Sequence, residues 1–237
     1  MNTSLAFTRN SGLSASRQAV PPALQQLSVG ALLSIRAARP GSYYLGAELS
    51  PTGLMPISFS IARSPIVLAT ADYAGPDNYL DCLVKTAAIT ASQLYGNQTA
   101  AMAVTPQPES WGFTIVPRAV LCPEQFHQLL PQLLSGKSRG FCLIILEDIR
   151  PEWGIAPQTL LRLAENGFGL LLTAYPEYAA PLAHNIQSAR VVIGNLTQKQ
   201  EGPVLGTIPP LGGQLSCAQF AVRHKSQWLT FSTATAL

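Results

Sequence analysis

Five short apolar runs, each leading into a turn and most into a stretch with helical spacing, constrain the fold more than any other feature of this chain. They fall at 66–70 (IVLAT), 100–104 (AAMAV), 141–146 (FCLIIL), 168–173 (FGLLLT) and 189–194. Runs this short, without polar alternation, read as strands covered on both faces, and strands alternating with helices pair in parallel. The helices are predicted over 76–94, 123–134, 157–166 and 178–185. In the first, Leu80, Leu83, Val84, Ala87 and Ala88 recur at helical spacing, and Gly167 closes the third. A further strand is predicted at 113–116. Ahead of this core, runs at 43–49 and 57–62 flank Pro51-Thr52-Gly53 as a hairpin, and runs at 215–222 and 227–231 follow it. The expected fold class is α/β, a mainly parallel central sheet between helices with β-hairpin additions at both ends of the chain.

Composition narrows the function classes. Hydrophobic residues make up 47% of the 237, and charged residues only 11%, against about 25% in ordinary globular chains. So little charge leaves a surface poor in solvation, and other protein subunits are the expected cover. The net charge of +3 comes from 15 basic and 12 acidic residues spread thinly, which provides no electrostatic footprint for direct nucleic-acid binding. Cys82, Cys122, Cys142 and Cys217 lack metal-ligand spacing and read as free thiols of a reducing compartment, so no metal is expected. No run approaches the roughly 18 apolar residues of a membrane span. The expected location is cytoplasmic, with peripheral attachment at the inner face of a membrane complex left open. Residues 1–40, opening on a Ser-, Ala- and Asn-rich tail, are expected to be a flexible arm, and 41–237 a single α/β domain.

The segment 66–80 reads as strand, turn and helix start. Laying the phosphate-loop pattern G-x-x-x-x-G-K-[ST] over it puts Thr70 at the first glycine, keeps Gly75 as the second, and places Pro76 at the lysine and Asp77 at the hydroxyl residue. Pro76 removes an N–H and a cation, while Asp72 and Asp77 add carboxylates where phosphate oxygens would lie. Like charges at that range repel by about 4 kcal/mol at an effective dielectric near 20. A triphosphate is expected to be rejected. The same residues also make an ordinary helix start, with Pro at the first helical position and Asp in the first turn.

Strand 141–146 ends in Glu147 and Asp148, the position where a nucleotide hydrolase keeps one acid for magnesium and one for the attacking water, in reversed order. Strand 168–173 ends in Thr173, where a polar side chain can sense a γ-phosphate. His127, His184 and His224 are isolated and assigned no catalytic role, and Arg150, Arg162 and Arg190 are the cations that could reach a neighbour's site.

The order of these weak signals carries a resemblance. Leu45-Gly46-Ala47-Glu48 through Gly53, Pro56 and the run from Ser58 to Pro65 resembles the lead-in of FtsK/SpoIIIE/HerA-like motor domains, which have a hairpin and then an intact phosphate loop. Asn166 to Pro176 resembles that family's second strand motif, and Asn185-Ile186 with Arg190-Val191 its following segment. Ala174 and Tyr175 replace the family's Gln and Arg, and Pro76 and Asp77 its Lys and Ser/Thr. The resemblance covers about residues 43 to 232. It implies a RecA-like P-loop fold, a three-layer sandwich, with a degenerate P-loop at Thr70, Gly75, Pro76 and Asp77, a degenerate acid pair at Glu147 and Asp148, and Thr173 as the sensor-like residue. The function it implies is a pseudo-ATPase, not an enzyme and without cofactor or catalytic residue. Such a chain would serve as a structural or regulatory subunit of a translocation, secretion or conjugation machine, beside an active motor homologue. Two alternatives stay open on the sequence, an NTPase with a remodelled phosphate loop and a RecA-like inhibitor or adaptor with a single partner.

Overall fold

The computed structural model describes residues 27–35, 38–72, 79–92, 99–112, 119–206, 215–216, 218–224 and 227–234. The strands are β1 (Ser42–Ser50), β2 (Gly53–Ser60), β3 (Ile66–Thr70), β4 (Thr99–Val104), β5 (Ala119–Leu121), β6 (Phe141–Leu146), β7 (Phe168–Ala174), β8 (Arg190–Ile193), β9 (Gln219–His224) and β10 (Gln227–Ser232). The helices are α1 (Val29–Ile35), α2 (Tyr79–Ser92), α3 (Pro123–Ser135), α4 (Pro157–Glu165), α5 (Pro176–Asn185) and α6 (Gln198–Leu205).

The strands form one sheet in the order β2-β1-β10-β9-β8-β3-β7-β6-β4-β5. From β8 to β5 every pairing is parallel, and β3 lies between β7 and β8 with Thr70 level with Ala174 and Ile193. The α/β expectation with a mainly parallel sheet is met. The hairpins from the two ends of the chain sit on the same side of the sheet, β9 pairing with β8 and β1 joining β10 through Ala47 and Ser232.

Alternation along the strands separates the layers. In β3, Val67 and Ala69 join a core with α2 (Leu83, Val84, Ala87) and the first hairpin (Leu45, Phe59). Ile66 and Leu68 face the opposite core with Phe126 of α3, Leu160 and Leu163 of α4 and Ala179 of α5. Burying both faces of β3, β7 and the last four residues of β6 explains why these strands are continuous apolar runs. A third, smaller cluster holds Leu27, Val29 and Leu32 against Tyr44 and Ala47. This packed segment lies within the stretch expected to be an arm, since its apolar residues have a hairpin face to cover.

Two glycines let the layers close. A Cβ on Gly169 in β7 would stand 2.6 Å from Cγ1 of Ile61, and one on Gly46 would stand 2.0 Å from the Ser232 carbonyl oxygen. The predicted helix over 76–94 is seen as Tyr79–Ser92, and the predicted strand at 113–116 lies outside the described residues. Helix α6 was not expected, because Gly202 and Pro203 mask its periodicity; Thr197 donates its N–H to Oε1 of Gln200 at 2.9 Å to start it. No helix among the described residues is long and apolar enough to cross a membrane.

Candidate functional site

The parallel strands deliver their last residues to one edge of the sheet, the place where open α/β sheets bind ligands. Thr70 ends β3, Leu146 ends β6 and Ala174 ends β7. Of the phosphate-loop positions, Thr70 lies on this edge, fully buried, with an Oγ1 that has no hydrogen-bond partner among the described residues. Gly75, Pro76 and Asp77 lie outside the described residues. Gly194, just past β8, makes room for the exit from β3. Its N–H donates to the Thr70 carbonyl at 2.8 Å, and a Cβ there would stand 2.7 Å from that of Ala71.

Asp148 and Thr173 do come together. Thr173 Oγ1 accepts the Asp148 N–H at 2.8 Å, and its carbonyl accepts the Ile149 N–H at 2.8 Å. The turn after β6 is thereby tied to β7. Asp148 holds a left-handed backbone at φ 56°, unusual outside glycine and tolerated by Asp. Its Oδ2 accepts Nε of Arg150 at 3.0 Å, and Nη2 of the same guanidinium donates to it as well. Its Oδ1 is buried without a partner among the described residues. Arg150 also lies over the Tyr175 ring at 5.8 Å, so the residue after β7 shares the same cation.

Glu147 points elsewhere. Its N–H donates to the Val104 carbonyl at 2.8 Å, and its Oε2 accepts Nε1 of Trp111 at 2.9 Å. Trp111, on a 3-10 turn spanning Pro108–Trp111, is itself buried. Lys85 of α2 pairs with Asp81 at 2.8 Å and stands 5.9 Å from the centre of the Trp111 ring. Burial holds the Glu147 carboxyl above the ordinary carboxylate range; Asp81 adds to the rise, while the Trp111 bond, the Thr105 hydroxyl and Lys85 oppose it. The two acids therefore differ, Glu147 being biased toward its protonated form and Asp148 being held by a guanidinium.

Sequence reasoning named Glu147, Asp148 and Thr173 but missed Trp111, Asp81 and Lys85. An indole just past an apolar strand and an Asp/Lys pair at helical spacing after the loop were the available signals. Among the described residues no group of three His, Cys, Asp or Glu could hold a metal ion. Cys82, Cys122 and Cys142 form no disulfide among the described residues, and burial raises the Cys142 thiol to about 11. Cys217 lies outside the described residues.

No family model matches the chain, and no curated protein matches it either. Solved structures do. Over 88% of this chain and 43% of theirs, ATPases 2 and 3 of Thermomonospora curvata EccC, in complex with a signal sequence peptide, superpose with a TM-score of 0.61 at 12% identity. The cytoplasmic domain of EssC matches over 92% of this chain and 48% of that one, with a TM-score of 0.63 at 9% identity. The pCW3 conjugation coupling protein TcpA, solved with ATPγS, matches over 82% and 66%, with a TM-score of 0.52 at 12% identity. The chain spans less than half the length of the EccC and EssC structures. At these identities the likeness establishes the fold, that of FtsK/HerA-type ATPase domains. It overturns the expectation that the chain is not an enzyme, because the architecture is shared with ATPase domains, one of them holding an ATP analogue. That expectation rested on the sequence of one loop, which lies outside the described residues.

Proposed function

We propose that this chain is one RecA-like motor-type domain of a larger translocation assembly, of the secretion or conjugation kind, and that the carboxyl edge of its sheet engages a nucleoside triphosphate. The observation that carries this reading is that Thr70, Asp148 and Thr173 reach the same edge of the sheet, Thr173 Oγ1 holding the Asp148 N–H, with Thr70 Oγ1 and Asp148 Oδ1 buried and unpartnered among the described residues. Buried polar atoms without partners are costly, about 1–3 kcal/mol each, and a polar ligand would relieve that cost. Thr70 Oγ1 and Asp148 Oδ1 are the atoms open to a polar ligand, and Glu147, whose carboxyl burial raises, would take a proton from water in its ionised form. A bound nucleotide would supply the phosphoryl group to be transferred. In the sequence Pro76 stands where the loop lysine of the common pattern would be, so that cation is not available to a bound phosphate.

Membership of an assembly is supported by the surface as well as by the size of the neighbours. Ile35, Leu49, Met55 and Phe141 are 38–48% exposed on a chain with only 11% charged residues. The test is a phosphate-release assay with magnesium and ATP on wild type and Glu147→Gln. The expected result is slow hydrolysis that falls roughly a hundredfold or more in the variant while nucleotide binding is retained. Release no faster than in buffer, or a rate unchanged in the variant, would overturn the role given to Glu147.

A further inference from the structure

A second concave surface lies away from the carboxyl edge, against the strand that ends the sheet. It is a groove of about 760 Å³ where Arg39, Arg63 and Arg190 converge with serine hydroxyls of β1 and β2, and no carboxylate lines it. Arg39 and Arg63 are exposed, and neither has a carboxylate partner among the described residues. Arg190 is held in place by its own packing, with the guanidinium 5.1 Å from the centre of the Phe59 ring. Between these cations the wall is apolar, and two of its side chains, Ile35 and Met55, are 42% and 47% exposed.

Three features together define the occupant. Arg39 and Arg63, which have no carboxylate partner among the described residues, call for a ligand with several negative charges, and serine hydroxyls add short hydrogen bonds to its oxygens. β2 is the last strand of the sheet, so an extended chain laid along it could add as a further strand. Cations interleaved with Ile35, Leu54 and Met55 match a peptide with alternating acidic and apolar side chains better than a phosphodiester backbone, which needs a continuous basic stripe. The chain's own residues 1–26 carry Arg9 and Arg17 and no acid, so their charge does not complement the groove. We propose that this groove is the docking site for an extended acidic segment of a partner protein, which lies beside β2 and places its carboxylates on Arg39, Arg63 and Arg190.

The experiment titrates the full chain into a fluorescein-labelled peptide alternating Glu with Val, and follows anisotropy at low and high salt. The expected result is binding that weakens with salt and becomes about tenfold weaker in Arg39→Glu and in Arg63→Glu, both exposed positions whose replacement leaves the fold intact. A matched peptide alternating Lys with Val should not bind. No binding of the Glu peptide, or binding that neither variant weakens, would overturn the proposal. Tighter binding of a single-stranded oligothymidylate that displaces the peptide would assign the groove to nucleic acid and overturn it equally. Because the groove does not share residues with the carboxyl edge, the result stands apart from the hydrolysis assay.

Discussion

The two ends of the parallel sheet are built on opposite chemistry. Past the carboxyl ends come Asp72, Asp81, Glu109, Glu124, Glu147, Asp148, Glu152, Glu177 and Glu201, and of the fewer cations there Lys85 and Arg150 are each paired with an acid. At the amino ends stand Arg63, Lys137, Arg139 and Arg190, with glycines that draw the first hairpin down onto the sheet. Gly41, at φ 71°, is one of these, since a Cβ there would stand 2.4 Å from the Phe141 ring. The carboxyl end accumulates buried, bonded polar groups and one strained backbone, whereas the amino end is closed by tight packing and keeps its charges at the surface. The lesson is that packing and function are separated along the strand direction, and substitutions at the two ends should fail in different ways.

The largest effect is expected at the junction on the packing side. Gly46→Ala would push a methyl into the Ser232 carbonyl, with backbone on both sides, and should cost about 3 kcal/mol or more in denaturant unfolding. A wild-type midpoint would mean that the hairpin does not close on β10 as described.

Next comes Trp111→Phe at the carboxyl end, which removes the donor to a buried carboxylate and should cost about 2 kcal/mol. This loss should be greater at neutral than at acid pH, since the indole supports the charged form. Glu147 itself has the opposite sign from a stabilising ion pair. Its carboxyl is raised in the folded state from an ordinary 4.5, so the stability it lends is complete below that pH and is lost as pH rises through the folded value. Glu147→Gln should therefore flatten the fall in stability above pH about 4.5; an unchanged slope would show that the carboxylate is not buried.

Thr173→Val should cost about 1.5 kcal/mol by leaving the Asp148 N–H without its acceptor. The smallest effect belongs to Arg150→Ala, about 0.5 kcal/mol or less, because that guanidinium is 45% exposed. If Arg150→Ala proved as costly as Trp111→Phe, the carboxyl end would be held by its surface cation and not by its buried network.

The strands were legible where burial is complete on both faces. Ile66–Thr70 and Phe141–Leu146 match the predicted spans because the core decides all of the first and the last four residues of the second. Glu147 and Asp148 could be named because they follow β6 directly, and Thr173 because it stands near the end of β7. The Trp111–Glu147 bond joins residues 36 apart in sequence, and no local pattern marks it. Nor could the sequence place both hairpins on one side of the sheet, since that depends on which strand each terminal segment meets. The reading of the chain as a non-enzyme came from giving one loop more weight than the architecture around it.

The most direct test of the functional difference between the two ends is amide hydrogen exchange on the full chain with and without magnesium and ATPγS. The account predicts slower exchange at Glu147, Asp148 and Thr173, with Arg63 and Arg190 unchanged. No change anywhere, or protection confined to the amino end, would contradict it.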